Sequence, residues 1–193
     1  MFGPVLVTAA TVLPVTVEEV KTPLRIDHTD LDSVIDSAIR SAVAHYEGWT
    51  GILGISLVEQ TWRVSFGRFE RDMYLPLRPV QRITAINWKD ADGIPSAVAD
   101  TEYTLQTDAG GTTYASFFDA YTFPAGLFEK APVSIDYVAG WPVVEGKATT
   151  PADLKAAIRM RVQMEIDEAG TVNRDHLKDF ERELVSKYKP PRI

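Results

Sequence analysis

Residues 30–50 read DLDSVIDSAIRSAVAHYEGWT. Leu31, Val34, Ile35, Ala38, Ile39, Ala42, Val43, Tyr46 and Trp49 step by three and four residues, the spacing that gathers apolar side chains on one face of an α-helix. Asp32, Ser33, Asp36, Ser37, Arg40, Ser41 and Glu47 fall on the opposite face, which suits water or a polar partner. Asp30 is placed to cap the first turn, Asp32 adds negative charge at the positive end of the helix dipole, and Gly48 and Gly51 mark the exit. One helix cannot bury its own stripe, so the rest of the chain must supply a surface against it.

Upstream, residues 1–15 read as an extended arm in which Pro4 and Pro14 frame a run rich in Val and Thr. An edge strand and an arm lying on a neighbouring subunit both fit this pattern. Residues 16–20, TVEEV, carry Thr16 with Glu19 three positions on, the capping box of a short helix that Thr22-Pro23 should end. Residues 25–32, RIDHTDLD, gather carboxylates and a histidine but lack the glycine and glutamate positions of a calcium loop. They read as a solvated acidic turn leading into the helix.

Downstream the period changes. Between residues 56 and 69, Gln60, Trp62, Val64 and Phe66 alternate with Glu59, Thr61, Arg63 and Ser65, the signature of a half-buried strand. Leu75-Pro76-Leu77 and Arg78-Pro79 read as a rigid connection, residues 80–89 as a second strand, and Asp92-Gly93 as a hairpin turn. Short strands around Tyr103 and Leu105, at residues 113–118, and through Val133, Ile135 and Tyr137 follow. Residues 142–149 read as a linker. Thr150-Pro151-Ala152-Asp153 then opens a second long helix, whose apolar residues Leu154, Ala157, Ile158, Met160, Val162, Met164 and Ile166 cover a wide arc up to Gly170. A last helix at residues 173–188 carries Leu177, Phe180, Leu184 and Tyr188 on a narrow stripe before Lys189-Pro190-Pro191. That stripe suits either ordinary core or a helix that docks on another chain.

The expected architecture is α+β: a small helical bundle with an inserted antiparallel β subdomain and a C-terminal helix. Its parts are an extended arm at 1–15, a helical body at 16–55 and 150–170, the β insertion at 56–141, and the last helix with its tail at 171–193.

Composition narrows function by exclusion. The chain has 193 residues, 45% of them hydrophobic and 24% charged, as expected of a globular protein. It contains no cysteine, which removes disulfides, thiol nucleophiles and thiolate metal sites. The apolar run near the start is broken by Pro14 and threonines and supports neither a signal peptide nor a membrane span. A net charge of −7 opposes a tight grip on nucleic acid phosphates. Gly146-Lys147 departs from a phosphate loop in spacing and in Ala148, and His28, His45 and His176 lie in separate segments. No serine sits in a Gly-x-Ser-x-Gly elbow, and carboxylate pairs such as Asp90 with Asp92 are expected by chance among 27 acidic residues. No catalytic residue, metal ligand or cofactor is assigned. Trp62, Trp88, Tyr103, Tyr114, Phe117, Phe118, Tyr121 and Phe123 read first as core and second as a face for a glycan or another protein.

The succession PVTVEEVKTPLRID, DLDSVIDSAIRSAVAHYEGWTG, QTWRVSFGRF, MYLPLRPVQRITAINWKDADG, VSIDYVAGW and TPADLKAAIRMRVQMEI resembles the head–tail connector (adaptor, head-completion) proteins of long-tailed bacteriophages. The nearest resemblance is to the subgroup with a β insertion, also found in gene transfer agents, and it covers residues 12–168. Beyond it the chain departs: EIDEAGTVNRDHL replaces an aromatic-rich segment, and the charged last helix has no counterpart.

The resemblance implies a structural virion protein: a homo-oligomeric ring of twelve copies between the portal protein and a tail-side connector or stopper, assembled in the host cytoplasm, with DNA passing through the lumen and no membrane partner. In such a ring, the polar face of Asp32, Asp36, Arg40 and Glu47 is the expected subunit interface. Leu177, Phe180, Leu184 and Tyr188 form the expected portal-docking stripe. A lumen rich in carboxylates would let DNA slide without the contacts that drive tight binding. The rival expectation is a tail or baseplate module that recognises a glycan or another tail protein through the β subdomain.

Overall fold

In a computed structural model describing residues 1–166 and 174–189, the chain divides into two compact units. One comprises Met1–Ala9 with Glu59–Gly140, the other Ala10–Val58 with Trp141–Ile193. The fold is α+β, as expected.

The β unit contains β1 (Val5–Thr8), β2 (Gln60–Phe66), β3 (Asp72–Leu75), β4 (Val80–Lys89), β5 (Pro95–Ala97), β6 (Tyr103–Thr107), β7 (Thr113–Phe117) and β8 (Val133–Ala139). A five-stranded sheet runs β1-β2-β8-β4-β5, and a separate three-stranded sheet runs β3-β7-β6. Every pairing is antiparallel. The alternation read in β2 is real: Gln60, Trp62, Val64 and Phe66 are buried, and Arg63 is exposed. The central strand β8 buries Val133, Ile135, Tyr137, Val138 and Ala139. At the β4–β5 turn, Gly93 adopts φ +81°, a left-handed conformation that glycine enters at little cost. The Asp90 carboxylate accepts the amides of Asp92 and Ile94 at 3.0 and 2.9 Å and pins this turn. The peptide bond between Arg78 and Pro79 is cis.

The helical unit contains α1 (Val17–Leu24), α2 (Asp32–Tyr46), α3 (Ala152–Ile166) and α4 (Arg174–Ser186). The capping box of α1 is complete: the Glu19 amide donates to the Thr16 hydroxyl at 3.2 Å, and the Thr16 amide donates to the Glu19 carboxylate at 2.8 Å. Pro23 lies inside the last turn, and the helix ends at Arg25 in a left-handed conformation, φ 56°. Ile35, Ala38, Ile39, Ala42 and Tyr46 of α2 meet Leu154, Ala157, Ile158 and Val162 of α3 in one core, joined by Val15, Val20, Leu53, Leu57 and Val185.

Three readings of this unit are corrected. The α2 stripe is narrower than its periodicity implied, because Leu31, Val34 and Trp49 are exposed. Trp49 lies beyond the helix end. Leu31 rather than Asp30 holds the N-cap position, without a side-chain cap. The expected linker instead contains a two-stranded ribbon of β9 (Val143–Val144) and β10 (Lys147–Ala148), turning through Glu145 and Gly146 at positive φ. The helix end expected at Gly170, the start at Asn173, the terminal prolines and the tail lie outside the described residues.

Candidate assembly surfaces

The four residues expected on the polar face of α2 have different fates. Asp32 accepts a hydrogen bond from Lys21 Nζ at 2.7 Å, and the Lys21 side chain is only 6% exposed. That hydrogen bond, against the cost of burial, raises the Lys21 pKa above its ordinary value. Lys21 is a tie between α1 and α2 that sequence reading missed, because a lysine eleven residues from its partner carries no local pattern. Glu47 is also turned inward: its carboxylate accepts the Leu57 amide at 2.9 Å. Asp36 and Arg40 pair with each other at 2.8 Å, one helical turn apart, and Arg40 remains 65% exposed. An exposed pair of this kind contributes only about 0.3–0.5 kcal/mol. Arg40 is therefore the member of the set turned most fully to solvent.

The stripe on α4 is similarly divided. Leu184 and Tyr188 pack against the helical core, and Val185 beside them is fully inside it. The Tyr188 hydroxyl donates to Asp153 at 2.8 Å and its ring meets Trp141 edge-on at 6.0 Å. Lys187 closes on the other Asp153 oxygen. Burial alone would push the Asp153 carboxyl up, but the hydrogen bonds from Lys187, Tyr188 and the Leu154 amide together hold it below its ordinary value. Two turns before Tyr188, buried Glu181 accepts hydrogen bonds from the Tyr46 hydroxyl and, at 3.0 Å, from Arg161. Glu181 thereby joins α2, α3 and α4. Burial, reinforced by the Glu181 carboxylate, drives the Tyr46 pKa far above that of a free phenol. Leu177 is half-buried and Phe180 is 50% exposed, so the outward part of the stripe lies in the first half of the helix.

In the β unit, most of the aromatics considered for glycan recognition are core. Phe69 stacks on Phe123 at 5.2 Å, Phe117 stacks on Tyr121 at 5.3 Å, and Tyr103 joins them. Arg71 lies over the Phe123 ring at 4.8 Å and donates to the carbonyls of Phe118, Tyr121 and Asp119. It locks the 118–121 turn around the cluster. Phe118 alone among these rings is as much as 48% exposed. The rings left open lie outside this cluster: Tyr74, 40% exposed, pairs across strands with half-buried Tyr114.

A different apolar surface is open. Val5, Leu6 and Val7 of the edge strand β1 are 63%, 43% and 48% exposed, and Met1 and Phe2 just before them are 55% and 52% exposed. None of the five belongs to either hydrophobic core. The strand is paired to β2 through its backbone, Val5 with Arg63, Leu6 with Trp62 and Thr8 with Thr61. Among the described residues, no group of three or more His, Cys, Asp or Glu is placed to hold a metal ion, and no helix is long and apolar enough to cross a membrane.

No protein-family model and no curated protein matches the chain. Solved structures do. A chain of the virion of a native gene transfer agent (GTA) particle superposes with TM-score 0.73 at 21% identity, covering 98% of this chain and 96% of its own. A chain from the neck of an empty GTA particle, computed with C6 symmetry, gives TM-score 0.74 at 22% identity over 100% of this chain and 97% of its own. A chain from the neck of a native GTA particle, computed with C12 symmetry, gives 0.66 at 21% identity over 98% and 97%. From end to end, this chain has the fold of chains found in the necks of gene transfer agent particles.

Proposed function

We propose that the chain is a head–tail connector subunit, and that copies of it form a ring in the neck of a phage-like particle. The observation that carries this reading is the near-complete superposition on GTA neck chains whose particles were computed with sixfold and twelvefold symmetry. Twelve copies sit between the portal and a tail-side connector or stopper, and DNA passes through the lumen. The ring is built from chains made in the host cytoplasm. Asp36 and Arg40 face the adjacent subunit, and the exposed part of α4 around Phe180 faces the portal.

The chemistry of the chain agrees with a structural role. Among the described residues, the buried charged side chains Lys21 and Glu181 are each held by named partners that tie helices together. A net charge of −7 favours passage of DNA over retention. The test is to place an affinity tag on the chain in cells that produce the particle, purify intact particles and count its copies by quantitative mass spectrometry. Twelve copies per particle support the reading. Absence from purified particles refutes it.

A further inference from the structure

Edge strands of soluble proteins are ordinarily guarded by charge, proline, a bulge or a covering loop, because an open row of N–H and C=O groups invites pairing with another chain. β1 has a register shift between Leu6 and Thr8 but no charge at all. The first charged side chain in the sequence is Glu18. Its side chains are exposed on both faces: Val5 shares a face with its exposed partner Arg63, Leu6 shares the other with its buried partner Trp62, and Val7 sits at the register shift. A partner lying on one face of the sheet would cover only half of them. Covering both requires a partner that grips the strand along its free edge.

We infer that the free edge and both faces of β1 are covered by a second copy of this chain, the neighbour in the ring. This rests on the ring reading above. The aligned region of the C6 neck chain spans 100% of this chain, so β1 belongs to the shared fold and is not an appendage. A ring contact is heterologous, repeated once per subunit, and needs only one such ridge on each copy. Five apolar side chains, each about half open, together expose on the order of a few hundred Å², a size at which exposed apolar surface is often functional. That is well short of the ~800 Å² per partner of a stable binary interface. Two free chains therefore hold each other weakly, and closure of the ring, which gives every subunit a contact on both sides, is what makes the assembly persist. The uncharged strand also offers nothing to the phosphates of DNA.

The chain has no cysteine, so Val7→Cys introduces a unique thiol at an exposed position. Its alkylation rate is measured in dilute monomer, in concentrated portal-free protein and in assembled rings, alongside the assembly of Val5→Lys/Val7→Lys. The expected result is at least about tenfold slower alkylation once copies associate without portal, loss of association in the double-lysine variant, and a thermal midpoint unchanged within about 2 °C. Rings that form with the thiol fully reactive overturn the inference and leave the ring reading standing, as does protection that appears only when portal is added. A chain that forms no ring with or without portal overturns the ring reading, and this inference with it. Should the double-lysine variant unfold, the alkylation rates decide alone.

Discussion

The Arg161 guanidinium lies 3.0 Å from the Glu181 carboxylate, which is buried where α2, α3 and α4 meet and also takes the hydrogen bond of the Tyr46 hydroxyl. The acceptor serves two donors on two different helices. Glu181→Ala removes it and leaves a buried hydroxyl and a partly buried cation unpaired. The expected cost is about 2–4 kcal/mol, toward the lower end because Arg161 keeps some contact with water. Tyr46→Phe leaves the Arg161 pair intact and should cost about 1 kcal/mol. Chemical denaturation of both single variants and the double variant checks this, and the two losses should fall short of additive.

Gly51 makes a sharper backbone prediction. A Cβ there would stand 2.2 Å from the Glu47 carbonyl oxygen, with Tyr46 backbone at 2.6 Å. Neither obstacle is the end of a flexible side chain. Gly51→Ala must displace the last turn of α2 and should cost about 2–4 kcal/mol, read as a lowered thermal midpoint.

The last helix separates folding from docking. Phe180→Asp changes a half-exposed residue and should alter stability by no more than about 0.5 kcal/mol. Leu184→Asp puts a charge against the helical core and should cost more than about 2 kcal/mol. On the proposed function, Phe180→Asp also lowers portal binding in a pull-down while the protein stays folded. Loss of binding by Leu184→Asp alone would report only unfolding.

Stability should fall at high pH in both units. Tyr46 in the helical unit and Tyr137 in the β unit are buried, which raises both pKa values well above 10.0, the ordinary value of a phenol. Above pH 10 the unfolded chain releases these protons and the folded chain keeps them, so unfolding gains. Each tyrosine contributes a slope of about 1.4 kcal/mol per pH unit. Denaturation followed from pH 8 to 11 should show the decline, and Tyr46→Phe should flatten it for the helical unit. Asp153 acts in the opposite range. Its carboxyl is held below 3.8, the ordinary value of an aspartate, so its contribution is complete above that pH and is lost as pH falls beneath it. Attachment of the end of α4 should weaken there first, visible as faster amide exchange around Val185.

Local chemistry explains which features were legible in the sequence. Thr16 with Glu19, the alternation from Gln60 to Phe66, and Asp92-Gly93 each work through neighbours a few residues away, and each has the structure expected of it. The α2 stripe was legible in its middle but too wide at its ends. Periodicity reports which side chains share a face, whereas burial of Leu31, Val34 and Trp49 depends on what stands opposite. Partnerships across long separations were not legible. Lys21 with Asp32, Glu47 with the Leu57 amide, and Glu181 with Tyr46 turn residues that read as solvent-facing charges into internal ties. The split of the β strands into two sheets was hidden for the same reason: β3 pairs with β7 across about forty residues. The arm at residues 1–15 was legible as extended chain, and β1 is the edge strand that the pattern allowed, whereas which sheet it joins depends on its pairing with β2 more than fifty residues away.

The central claim, a ring in the particle neck, is tested most directly by imaging the assembly itself. Purified chain mixed with the portal of its own particle should give, in cryo-electron micrographs averaged without imposed symmetry, a closed ring of twelve copies stacked on the portal with β1 of each subunit against its neighbour. Portals that remain bare, or that carry isolated copies with no contact between them, would contradict it.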